Sequence, residues 1–310
     1  MGKGKSKRLS NIAKNEYSQI DINESQNIRN ESWVVVGSSV RGKSHLDRNI
    51  PCQDSYSYHV LDKRWGIIAV SDGAGSAKHS ELGSQFVVNE TIKLFREVLE
   101  QKKWRVYEQL PSAEEWSQVA NLILLTLKDK LIEYAVSNEL EPRDLSCTII
   151  VVIFSPFGLL ITHIGDGRAG YKIKNNGWKS MITPHKGEEA NQTIFITANW
   201  HEKVYTLSGV SVPENSVIKG DISAFVIMTD GCEMHCFQCN YYDSNKNTYF
   251  DPNKPHPGFF DPLILSLEKM INNQIVQEEL EKKWENFLFN GTPGLIDESD
   301  DKTMIIGIHL

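Results

Sequence analysis

Long apolar runs are missing from this chain, and no stretch approaches the ~20 residues a helix needs to span a bilayer. A secretory apolar segment near the start is missing too. The 310 residues carry only five cysteines: Cys52, Cys147, Cys232, Cys236 and Cys239. So sparse and odd a set makes no disulfide framework, which points to a reducing, cytoplasmic setting away from membranes. Paired Cys-x2-Cys modules are absent, so Cys232, Cys236 and Cys239, with His235 among them, read as loop residues rather than a structural zinc site. Positive charge is in deficit. The net charge of −7 excludes a general nucleic-acid binder, and the lack of a basic, aromatic-lined face disfavours a metal-dependent nuclease. No repeat of about 20 to 50 residues is present, which removes solenoids and propellers.

What the chain does have is aspartate at the ends of apolar, strand-like runs. Three runs lead into Asp-Gly: residues 65–71 before Asp72-Gly73, 159–165 before Asp166-Gly167, and 224–229 before Asp230-Gly231. Asp300-Asp301 precedes the run 303–309, and Asp54 leads into Tyr56–Val60. A single Asp-Gly after a strand is ordinarily a turn in which glycine takes positive φ. Repetition changes the reading, because strands of one sheet that all end in acid bring carboxylates to one rim. Their repulsion is relieved by a hard divalent cation.

Residues 1–30 are polar and rich in Lys, Asn and Ser, and read as a flexible basic arm. Its opening Met-Gly-Lys-Gly-Lys-Ser fits the loose myristoylation pattern, with a solvated tail as the simpler reading. Residues 31–310 read as a single domain. Strands are expected at 33–37, 56–60, 64–71, 147–154, 159–164, 169–174, 225–229 and 303–309. Apolar residues at helical spacing mark helices from Ser80 to about Leu99 and over 113–137. One long helix is expected over 262–289, a polar loop over 241–259, and a loop-rich stretch over 175–220 with short strand candidates at 193–197 and 203–207. Hairpin-linked strands separated by long helices give an α+β class, with largely antiparallel sheets and helices outside.

The ordered set Cys52-Gln-Asp54, Val70-Ser-Asp72-Gly73-Ala-Gly-Ser, Ile164-Gly-Asp166-Gly-Arg168, Met228-Thr-Asp230-Gly231 and Asp300-Asp301-Lys-Thr303 resembles the type 2C metal-dependent protein phosphatases, from about Trp33 to Leu310. Ala74-Gly-Ser-Ala77 and Gly187-Glu-Glu-Ala-Asn191 resemble a bacterial-type subgroup. The resemblance implies two stacked antiparallel sheets flanked by helices, an α-β-β-α sandwich. It also implies a centre of two Mn²⁺ or Mg²⁺ ions that hydrolyses phosphoserine and phosphothreonine without a covalent intermediate, and the chain indeed has no Cys-x5-Arg loop. By motif, Asp72 bridges two ions, the Gly73 carbonyl binds one, and Asp54, Asp230 and Asp300 complete the set. Asp166, sharing Asp230, serves an additional ion. Implied partners are a phosphoprotein substrate and an opposing serine/threonine kinase.

Two departures stand out. Many relatives carry His at the position of Ala74 as leaving-group acid. Here His45, or a water on the metal, stands in for it. Arg41 and Arg48 are the candidates for the phosphate-binding Arg that relatives place before the first acidic motif, Arg41 being preferred. The alternative is a non-catalytic relative acting as a phosphoprotein-binding or regulatory module.

Overall fold

In the run Gly66–Ser71, Ile67 and Ala69 point to one side and Ile68 and Val70 to the other, as the period of two requires, and all four are buried. A strand apolar on both faces needs a layer on each side. A computed structural model, which describes residues 32–187, 193–202 and 206–310, supplies those layers. Its principal strands are β1 (Trp33–Val40), β2 (Ser55–Val60), β3 (Gly66–Ser71), β4 (Ile149–Ser155), β5 (Gly158–Ile164), β6 (Arg168–Ile173), β7 (Gly177–Ser180), β8 (Glu214–Lys219), β9 (Ile222–Met228) and β10 (Lys302–His309). One five-stranded sheet runs β1-β10-β9-β6-β7 and the other β8-β5-β4-β3-β2, and every pairing is antiparallel.

The inner faces of the sheets meet in a cluster that contains Val35, Phe225, Ile227 and Ile305 from one and Ile68, Val70, Val152 and Ile161 from the other. The outer face of the second sheet packs Ile67, Ala69 and Val151 against Val87, Phe95, Trp116 and Leu124. These come from helices α1 (Ser80–Lys102) and α2 (Ala113–Ser137). Ser112 caps α2 by accepting from Glu115 N, and Glu114 and Glu115 lie in its first turn, where the helix dipole favours acid. On the other side Val226, Met228 and Ile306 pack against Phe260 and Ile264 of α3 (Pro257–Asn272) and Trp284 and Leu288 of α4 (Gln277–Asn290). The fold is therefore the α-β-β-α sandwich that the motif resemblance implies.

Three local expectations change. The single helix over 262–289 is two helices, α3 and α4. The break is a Schellman turn in which Gln274 N bonds Ile271 O and Ile275 N bonds Met270 O, with Gln274 left-handed at φ +59°. Glycine or asparagine ordinarily marks that position, so a glutamine gave no signal. The polar loop over 241–259 contains a hairpin, Tyr241–Asp243 with Thr248–Phe250, whose turn is held by Asp243 Oδ1 accepting from Asn245 N. The stretch 175–220 contains β7 and β8. Of its strand candidates, Thr193 makes only an isolated bridge to Lys186, whereas Thr206–Leu207 at the end of 203–207 pair with Val210–Ser211, residues 203–205 lying outside the described residues. The arm 1–30 and most of the 187–191 motif also lie outside them.

Candidate metal centre

The acidic strand ends converge at one end of the sandwich. Asp54 enters β2, Asp72 leaves β3, Asp166 links β5 to β6, Asp230 leaves β9 and Asp300 precedes β10, so both sheets contribute. Carboxylate oxygens of Asp72, Asp166 and Asp230 all lie within 4.8 Å of one another. Asp54 and Asp300 are close enough for their charge to act on Asp72 and Asp230. Burial, then neighbouring carboxylates (Asp230 on Asp72, Asp166 on Asp230), holds Asp72 and Asp230 well above the ordinary carboxylate range, and burial followed by Asp301 pushes Asp54 up to about 8. Burial also raises Asp166 and Asp300.

Backbone and hydroxyl groups hold this arrangement. Asp72 N donates to Thr148 Oγ1 at 3.0 Å and Thr148 N donates to Asp72 O at 2.8 Å. Thr229 Oγ1 donates to Asp54 Oδ2 at 2.7 Å and accepts from Thr303 N at 3.1 Å. The glycines of the Asp-Gly pairs do not take the positive φ of a simple turn; among these motifs only Gly165, before Asp166, is in that region, at +126°. Close approach is what requires Gly231, where a Cβ would sit 2.0 Å from Asp301 O. Gly73 bridges to Cys147 beside Asp72.

The adjacent acids Asp300 and Asp301 have separate surroundings. Asp300 faces the cluster, whereas Asp301 accepts from Gly42 N at 2.9 Å and Gln53 N at 2.6 Å. His45 Nδ1 lies 2.8 Å from Asp301 Oδ1, and both side chains are buried. Arg41 donates to Ile50 O at 3.4 Å and lines a cleft of about 420 Å³ with Leu46, Cys52 and Phe289. Arg48 folds back onto Ser44. Among the described residues neither guanidinium makes a hydrogen bond or ion pair to the five aspartates. Cys232 and Cys236 pack into the apolar cluster under α3 and α4, and His235 pairs with Glu298.

Sequence reasoning missed the rim. Arg168, fully buried, donates to Glu233 Oε2 (2.8 Å), Asp251 Oδ2 (2.6 Å) and Asn253 Oδ1 (2.9 Å). Lys186 donates to both oxygens of Glu233. The Arg after Asp166-Gly167 was a visible signal; its acceptors, far along the chain, were not.

The donor set fits hard divalent cations. Among the described residues none of the five aspartates has a Lys or Arg within ion-pair distance, and Asp166 Oδ1 is buried without a partner. Buried carboxylates left unpaired by protein cations are what Mg²⁺ and Mn²⁺ sites supply.

The comparisons agree with this chemistry. The sequence profile of the family described as protein phosphatase 2C matches residues 41–283. The chain is 29% identical over 283 residues to the Escherichia coli (strain K12) protein serine/threonine-protein phosphatase 3, covering 89% of this chain and 98% of that protein. Among solved structures, serine/threonine phosphatase Stp1 from Staphylococcus aureus superposes with a TM-score of 0.53 at 13% identity, covering 88% of this chain and 94% of that one. A bacterial serine phosphatase gives 0.52 at 15% identity, covering 88% and 96%. At such identities the structures speak for the fold, and the profile speaks for descent: this chain belongs to the protein phosphatase 2C family.

Proposed function

We propose that the chain is a serine/threonine phosphoprotein phosphatase whose centre holds two Mn²⁺ or Mg²⁺ ions, with a weaker third. The observation that carries this reading is the set of five converging carboxylates with, among the described residues, no Lys or Arg within ion-pair distance. Asp72 would bridge the two ions, with Gly73 O, Asp54, Asp230 and Asp300 around them, and Asp166 with Asp230 would hold the third. Bound there, the ions supply Lewis acidity toward a phosphoryl oxygen and an attacking water.

The protein's own groups do the positioning. Thr229 and Thr148 fix Asp54 and Asp72 through the hydrogen bonds described above. Asp301 ties the β10 strand end to the backbone before Asp54. His45 is the candidate leaving-group acid: with Nδ1 against Asp301, Nε2 is the atom left to give a proton. Arg41 and Arg48 are the candidates for holding the phosphate dianion, and Arg41 is favoured by its place in the cleft beside Cys52. Residues 31–310 would be the catalytic body and 1–30 an arm. The activity would act in the cytoplasm on phosphoproteins made by a serine/threonine kinase.

The test is hydrolysis of para-nitrophenyl phosphate and a phosphothreonine peptide after chelation, with Mn²⁺ or Mg²⁺ added back. Turnover restored by metal and eliminated in Asp72→Asn is the expected result. A folded protein that binds both ions and turns over neither substrate would instead favour the non-catalytic reading, to which the buried Ala74 already points.

A further inference from the structure

Among the described residues, Lys186 is a cation that the fold holds near the five aspartates. Its backbone is pinned from several sides. The preceding residue, His185, donates its N–H to Gly165 O at 2.9 Å and accepts from Gly165 N on Nδ1 at 3.2 Å, beside Asp166. Lys186 N donates to Ser208 Oγ, Ser208 Oγ donates back to Lys186 O, and Lys186 forms a bridge with Thr193. Its ammonium is fixed as well. Nζ lies 2.8 and 3.0 Å from the two oxygens of Glu233, which is held from its other side by buried Arg168.

Glu233 is itself near the centre, since its charge acts on both Asp166 and Asp230. The contact of His185 with Gly165 brings Lys186 next to the loop that carries Asp166. Its ammonium, beyond ion-pair distance of that carboxylate, is still near enough that the lysine charge is the strongest influence opposing burial there. Asp166 Oδ1 nevertheless has no hydrogen-bond partner. The lysine acts on that carboxylate through space and leaves its oxygen available.

We infer that Lys186 is the resident counter-cation of Asp166, and that a divalent ion at Asp166 binds against its repulsion. This rests on the proposed centre and adds to it a reason why the third ion is weak in this chain: a lysine anchored on Glu233 already supplies part of the positive charge. The effect is electrostatic, so it follows the charge of residue 186 and not its length.

The experiment is calorimetric titration of chelator-stripped protein with Mn²⁺, using wild type, Lys186→Gln, Lys186→Arg and the double variant Lys186→Gln/Asp166→Asn. The lysine side chain is 40% exposed, and a thermal melt verifies that each variant is folded. Lys186→Gln is expected to bind the weakest Mn²⁺ about tenfold more tightly than wild type, a change of about 1.4 kcal/mol. Lys186→Arg keeps the wild-type isotherm, and the added Asp166→Asn abolishes the gain. Wild type that binds Mn²⁺ with an unchanged Lys186→Gln isotherm, or a gain equally present in Lys186→Arg, overturns this inference alone. Wild type that binds no Mn²⁺ overturns the proposed centre and this inference with it.

Discussion

Asp54→Asn should stabilise the metal-free protein. The carboxylate is 5% exposed, and burial, then Asp301 and Asp300, push it from an ordinary value of 3.8 up to about 8. Its folded-state value is raised, so the sign is as follows. Below pH 3.8 both states hold the proton and nothing is lost. Above that, the unfolded chain ionises while the folded chain does not, and stability falls until the folded group ionises near pH 8. At ~1.4 kcal/mol per pH unit, the loss reaches about 4 kcal/mol at pH 7. Asparagine is isosteric, keeps an oxygen to accept from Thr229 Oγ1, and carries no charge to desolvate. In a chain of this size 4 kcal/mol corresponds to a rise in Tm of roughly 8 °C. The assay is a thermal melt in chelator at pH 7.0 and 4.5. The variant should melt higher at pH 7.0, and the gap should narrow at pH 4.5. Saturating Mn²⁺ should reverse the order, because only wild type gains the full binding energy. An apo variant that melts at or below wild type at pH 7.0 would refute the reasoning.

Two further expectations follow from named contacts. His45→Ala should lower turnover of a phosphothreonine peptide about 100-fold, the scale of a lost general acid, and that of para-nitrophenyl phosphate far less; equal losses would remove His45 from proton transfer. His185, buried and held near 4, stays neutral in the fold while the unfolded chain protonates below 6.5, so stability is lost as pH falls from 6.5 to 4, by about 3 kcal/mol in total. Urea melts of wild type and His185→Gln across that range should converge as the pH falls, and parallel curves would show that His185 does not titrate with unfolding.

The frame of the fold was legible in the sequence because it is written in local pattern. Ile67 to Val70, Ile149 to Phe154 and Phe225 to Met228 are apolar at every position, which marks strands covered on both sides, and the acids stand immediately beyond them. The rim was not legible, because its pairs are long-range: Lys186 and Arg168 reach Glu233 across 47 and 65 positions. Asp300 and Asp301 are chemically identical neighbours, and only the position of Gly42 and Gln53 separates their tasks. The Asp-Gly glycines looked like turn formers, yet Gly231 is required because Asp301 O approaches it so closely.

The cluster also bears on how the two sheets are joined. Asp54 and Asp72 come from the ends of one sheet, Asp230 and Asp300 from the other, and Asp166 from the link between them, so repulsion among these groups when ionised acts to part the sandwich at this end. Among the described residues, two contacts oppose it: Thr229 to Asp54 and Asp301 to Gln53. Both draw a donor or acceptor at one sheet's strand ends to the segment leading into β2 of the other. The apolar layer of Phe225, Ile227, Val70 and Ile150 closes the sheets directly behind. A cation among the carboxylates would turn the repulsion into attraction across the same gap. Metal binding and closure of the sandwich end would then be one equilibrium, and a substitution in a strap such as Thr229, which bonds Asp54, would act on metal affinity without replacing a ligand.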